Sequence, residues 1–153
     1  MVDDAVRAPL PGAVLFACNF NRVRSPMAEA LLKRALGDRI YVDSCGLRRE
    51  ATETGERVDP FVQAVMAEIS CDLVAHSSKT FDDLEDDSFD LVVSLTPEAQ
   101  HRAVEMTRGR AAEIEYWPTF DPTLSDGSWA TRMAAYREVR DALAARIAER
   151  FGR

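Results

Sequence analysis

In the stretch "VLFACNFNRVRSPMAEALL", Val14 to Leu32, an apolar run stops at Cys18, and Arg24 stands six residues further on, followed by Ser25, Pro26 and a helical pattern. A loop of that length between a strand and a helix can turn successive backbone N–H groups inward. Such a nest, backed by a helix N-terminus, binds a tetrahedral oxyanion. Arg24 would add a planar donor fork that matches two phosphate oxygens, which a lysine cannot reproduce. The same positive field favours a thiolate, the nucleophilic form of cysteine, and Ser25 can donate a further hydrogen bond to the sulfur. Nucleophile and anion cradle are therefore expected to be one object. Neither other cysteine has this spacing, since Ala51 follows Cys45 and Ser77 follows Cys71 at the same offset. The loop residues expected against a bound phosphoryl group are Asn19, Phe20, Asn21, Arg22, Val23 and Ser25, with Arg22 reading equally well as a solvated loop charge.

Thiolate attack on a phosphomonoester expels an alkoxide or phenoxide, which needs a proton from a poised acid. The segment "EYWPTFDPTLSDG" offers Asp121, held by Pro122, with Asp126 as the alternative. Proline restricts where the carboxyl group can point. A second Asp-Pro pair, Asp59-Pro60, opens an amphipathic pattern and reads as a helix cap.

These residues need a frame. Strand-like runs fall at 13–17, 40–44, 89–95 and 112–117, and helical patterns begin at Ser25, Asp59, Thr96 and about Trp129. Ser25, Asp59 and Thr96 can each cap a first turn with Pro following, and Gly37 and Gly109 stand where helix C-terminal caps belong. Strands alternating with helices predict an α/β fold: a single-domain three-layer sandwich, a four-stranded parallel sheet with helices on both faces. Residues 1–12 read as an N-terminal tail and 13–153 as the domain. The acidic run "DDLEDDSFD" reads as a solvated loop or short helix. In open sheets of this kind ligands bind beyond the carboxyl ends of the strands, where Cys18 is placed.

Composition narrows the chemistry. A formal net charge of −7 disfavours nucleic acid, whose binding is driven by clustered Lys and Arg. No apolar run is long enough for a membrane span and the acidic start is unlike a signal peptide, so a cytoplasmic setting is expected. Three widely spaced cysteines and two distant histidines argue against a metal site and a disulfide framework.

The loop "VLFACNFNRVRSPMAEALL" resembles the phosphate-binding loop of low-molecular-weight protein tyrosine phosphatases and their arsenate reductase relatives. The likeness extends to "VDSCGLR", "FDLVVSL" and "FDP" and so covers nearly the whole chain. It implies Cys18 as nucleophile, Arg24 as phosphate grip, Asn21 as the residue that shapes the loop, Ser25 as partner of the thiolate and Asp121 as general acid. No cofactor is implied, and inorganic phosphate or sulfate is an expected occupant of the loop. The implied activity is hydrolysis of a phosphorylated protein or small aryl phosphate. The alternatives are arsenate reduction and phosphopeptide binding without turnover.

Several positions depart from the family pattern. Phe20 replaces a glycine, and Val23 replaces a second cysteine that would protect an oxidised nucleophile, leaving Cys45 as a conceivable substitute or a plain buried thiol. Thr123 and Leu124 stand in place of paired tyrosines, so Trp117, Phe120 and Trp129 are alternative walls for a substrate ring, and Arg48 and Arg49 either attract an acidic phosphopeptide or are solvated. Reductases of this family relay a disulfide through further cysteines, one placed after the third strand, where Thr96 stands here; Cys71 lies at a helix end about twenty residues before that strand.

Overall fold

The computed structural model describes residues 9–152, so the first eight residues of the expected tail lie outside the described part. Four parallel strands, β1 (Ala13–Cys18), β2 (Tyr41–Gly46), β3 (Leu91–Ser94) and β4 (Glu113–Tyr116), form one sheet in the order β2-β1-β3-β4. Four helices alternate with them: α1 (Arg24–Leu36), α2 (Pro60–Ala67), α3 (Pro97–Thr107) and α4 (Trp129–Phe151). β1 is central, and Val14 through Ala17 are wholly buried, as an unbroken apolar run covered on both faces must be.

The side chains of β1 divide the interior. Val14, Phe16 and Cys18 face a large core that takes Met27 and Leu32 from α1, Val62 and Val65 from α2, and Tyr136 and Leu143 from α4. Leu15 and Ala17 face a smaller core with Cys45, Phe81, Phe89 and Ala99 and Ala103 of α3. Each fully buried large apolar side chain contributes roughly 1.5–3 kcal/mol, so the heavier face is the principal source of stability.

Asp59 and Thr96 cap α2 and α3 by accepting from Phe61 N and Ala99 N, with Pro60 and Pro97 in the first turn. Gly37 closes α1 at φ 58°, while α3 ends at Thr107 and Gly109, at φ 80°, follows one residue after its cap. Ser25 differs from expectation: α1 begins at Arg24, Val23 holds the cap position without a side-chain bond, and Ser25 lies inside the first turn. Its hydroxyl is committed to Cys18 and Asn21 and cannot cap. β3 is also shorter than its apolar run: Phe89 leaves the strand for the smaller core, and the Asp90 carboxylate takes the N–H of Ala13 at 2.9 Å. In the acidic run, a single 3-10 turn (Phe81–Asp83) is anchored by buried Phe81, and Asp82, Asp83, Glu85, Asp86 and Asp87 are exposed. No helix of the described residues is long and apolar enough to cross a membrane.

Candidate active site

The loop Asn19–Val23 is moulded onto the end of β2. Gly46 makes this possible, because a Cβ there would lie 2.8 Å from Asn21 N and 2.8 Å from the carbonyl carbon of Phe20. The Asn19 carbonyl accepts from Leu47 N at 2.8 Å and Arg48 N at 3.1 Å, and its side-chain oxygen accepts from Thr96 Oγ1 at 2.8 Å, which ties the loop to the start of α3.

Asn21 is fully buried and takes a left-handed backbone, φ 58°, the conformation that asparagine tolerates better than most residues. Every polar group it carries beyond its N–H is used. The side-chain oxygen accepts from Lys79 N at 3.0 Å, and the amide nitrogen donates to Ser25 Oγ and Ser44 Oγ, each at 2.8 Å. Its carbonyl accepts from Ser78 Oγ at 2.8 Å and His76 Nε2 at 2.9 Å. Because a carbonyl only accepts, Nε2 carries the proton. Burial pushes the His76 ring below the usual histidine range, which the bond to Asn21 opposes, so the neutral donor form suits the site. Ser44 in turn donates to Glu29 Oε1 at 2.5 Å.

Cys18 is 2% exposed, yet its side chain helps line a cleft of about 200 Å³. Its Sγ lies 3.0 Å from Ser25 Oγ. Arg24 reaches across the cleft, donating from Nη1 to Thr119 O at 3.1 Å, with Nη2 3.8 Å from Asp121 Oδ2. Asp121 Oδ1 accepts from Thr123 N at 3.0 Å and Thr123 Oγ1 at 2.6 Å, so Oδ2 is the less encumbered oxygen.

The cleft thus brings together Cys18, Phe20, Arg22, Val23, Arg24 and Asp121 of the expected set. Asn19, Asn21 and Ser25 do not line it; they hold the loop from behind. Arg22 is not a free solvated charge, for Nε donates to Arg57 O at 2.7 Å and its guanidinium pairs with Glu50. Phe20 forms part of one wall, with the Arg48 guanidinium 5.4 Å from its ring centre. Arg49 is engaged by Asp83 at 2.8 Å and Ser78 O at 3.1 Å. Asp126 is exposed and does not line the cleft, and none of Trp117, Phe120 and Trp129 does either.

Two carboxylates in the cleft were not singled out from sequence as site residues. Asp59 caps α2, and it also lines the cleft, with Tyr136 Oη donating to its Oδ2 at 3.1 Å and its own N–H donating to Arg22 O at 3.0 Å. Burial raises the Tyr136 phenol, and the Asp59 charge raises it further, so the phenol stays a donor. Glu50 joins the lining from the loop after β2. The Asp-Pro pair was the only signal for Asp59, and it pointed to the cap.

Cys45 is wholly buried and pairs in register with Ala17, so its side chain belongs to the smaller core while Cys18 belongs to the larger one. Burial, and then the nearby Cys18, push the Cys45 thiol well above the ordinary range. Cys71 lies in a separate groove with Lys33 and His76.

A cysteine at the end of the first strand of a four-stranded parallel sheet, sharing one cleft with Arg24 and Asp121, fits a class of small cysteine-dependent enzymes. A model of the family "Low molecular weight phosphotyrosine protein phosphatase" matches residues 13–149, and the chain belongs to that family. It is 31% identical over 134 residues to an arsenate reductase of Halalkalibacterium halodurans, covering 88% of this chain and 91% of the relative. A low molecular weight protein-tyrosine-phosphatase of Streptomyces coelicolor is 32% identical over 123 residues, covering 74% of this chain and 72% of the relative. Among solved structures, an arsenate reductase in the phosphate binding state superposes with a TM-score of 0.67 at 28% identity, covering 90% of this chain and 94% of that chain.

Proposed function

We propose that this protein hydrolyses phosphomonoesters, phosphorylated proteins or small aryl phosphates, through a cysteinyl-phosphate. The observation that carries this reading is that Cys18, Arg24 and Asp121 line one cleft of about 200 Å³. The Cys18 thiolate attacks phosphorus while the P–O bond to the leaving group breaks, and Asp121 donates the proton the departing oxygen requires. Oδ2 is the oxygen that would carry this proton, since Oδ1 already accepts twice from Thr123. Water then attacks the phosphocysteine, Asp121 takes its proton, the P–S bond breaks and inorganic phosphate leaves. Arg24 and the N–H groups of the loop stabilise the equatorial oxygens in both steps. The relative solved in its phosphate binding state supports an oxyanion as the occupant of this loop.

The test is hydrolysis of p-nitrophenyl phosphate by the wild type and Cys18→Ser. Phosphate release that survives the substitution removes the nucleophile.

Arsenate reduction is the second reading, favoured by the likeness to the H. halodurans enzyme. It needs a relay thiol to resolve a Cys18–arsenic adduct. Thr96 instead caps α3 and holds Asn19, Cys45 lies in the other core, and Cys71 lines a different groove. Neither cysteine lines the cleft of Cys18, so a relay through either requires the chain to move. Turnover of arsenate coupled to thioredoxin or glutaredoxin would establish this reading over hydrolysis.

A further inference from the structure

Behind the segment that carries Asp121 lies a second concavity, of about 550 Å³, between Trp117–Phe120 and the face of α4. Its size falls in the range of small-molecule sites, which are mostly apolar with a few convergent polar groups. Trp117, Val139 and Leu143 are buried and form its floor, while Phe120, 60% exposed, forms one lip. Its charged groups are Arg146 and Glu138. The Arg146 guanidinium lies 5.1 Å from the Trp117 ring centre and has no ion-pair partner among the described residues. A guanidinium stacked on an indole keeps its in-plane N–H donors free for a carboxylate.

We propose that this groove binds a small amphipathic monocarboxylate, head on Arg146 and apolar tail along Leu143 and Val139 beneath Phe120. Glu138 stands eight residues before Arg146 on the same helix, about 12 Å along its axis. Its exposed carboxylate disfavours a second anionic end at the far side of the groove. The site is distinct from the cleft around Cys18, and binding needs neither Cys18 nor Arg24. The two are nonetheless joined, because Thr119 lines the groove while its carbonyl accepts from Arg24.

Decanoate, below its micelle concentration, is the probe. The chain has two tryptophans, and Trp129 is 65% exposed, so Trp129→Phe leaves Trp117 as the sole reporter in a folded protein. A saturable change in Trp117 emission is expected. Arg146→Gln should weaken the affinity about two- to fivefold, the scale of a solvent-exposed ion pair. Ala142→Phe, an exposed position on the groove wall, should abolish binding with the circular dichroism spectrum unchanged. Decyltrimethylammonium, of equal tail length, should give no saturation, and Cys18→Ser should bind decanoate as wild type does. Equal affinity in Arg146→Gln, equally tight binding of the cation, or no saturable signal overturns the proposal. Because the readout is binding, loss of the hydrolase reading would leave it standing.

Discussion

Ser25 Oγ lies 3.0 Å from Cys18 Sγ and at the same time accepts from the Asn21 amide at 2.8 Å. With Asn21 supplying one proton, the single hydroxyl proton of Ser25 is left for the sulfur or, at 3.3 Å, for Cys45 O. A charged sulfur is the stronger acceptor of the two, so this serine can stabilise a thiolate at no cost to the loop.

Ser25→Ala removes that donor and leaves the Asn21 amide facing an apolar methyl. Hydrogen bonds to charged groups are worth about 1.5–3 kcal/mol, so kcat for p-nitrophenyl phosphate should fall roughly 10- to 100-fold. Iodoacetamide should alkylate Cys18 more slowly at pH 6 in the same variant. An unchanged alkylation rate would place Ser25 outside the stabilisation of the nucleophile.

Asp121→Asn keeps the shape of the side chain and its bonds to Thr123 but cannot donate a carboxyl proton. General acid catalysis contributes roughly 10²- to 10⁴-fold, so turnover should drop within that span for alkyl phosphates and much less for aryl phosphates with acidic phenols. Uniform loss across leaving groups would point to a binding role.

Gly46→Ala drives a methyl group into backbone atoms of Asn19, Phe20 and Asn21, all within 2.9 Å of the new carbon. Backbone must shift, and such overpacking costs about 1–3 kcal/mol. Urea denaturation should register the loss, and phosphate should protect this variant less than the wild type.

Cys45→Ala tests redox rescue. With Cys45 in the opposite core and its thiol pushed up by burial, peroxide-inactivated Cys18 should recover no differently with thiol treatment whether Cys45 is present or not. Recovery that disappears in the variant would require the two thiols to meet.

Acid stability should depend on Glu68. Hydrogen bonds from Arg137 and Arg140 of α4 lower its carboxyl to about 2 from an ordinary 4.5. A depressed acid stabilises the fold above its unfolded value, and the contribution is lost as pH falls from 4.5 towards 2, where the unfolded chain binds a proton the native state refuses. Urea midpoints of wild type and Glu68→Gln should therefore converge on acidification through that window.

The site was legible in sequence where its determinants are local. Six residues separate Cys18 from Arg24, and an apolar strand and a helix start bracket them, so their convergence follows from chain geometry alone. The sheet was legible because β1 must be covered on both faces. Asp59 was only half legible: its cap bond to Phe61 is local, whereas its place in the cleft depends on Tyr136, 77 residues away, which orients the second carboxylate oxygen. Glu50 sits in a turn-rich loop without periodicity, and its approach to Arg22 is a tertiary fact. The helix start at Ser25 misled because a serine before proline has two uses, capping and donating to sulfur, and only the packed loop shows which is taken.

The cleft lining holds two guanidinium groups, Arg22 and Arg24, against three carboxylates, Glu50, Asp59 and Asp121. With all three charged, its mouth is faintly anionic at long range on a chain already seven charges negative, so a doubly charged phosphate ester, the proposed substrate, would approach against the field. Added salt should therefore hasten encounter rather than slow it.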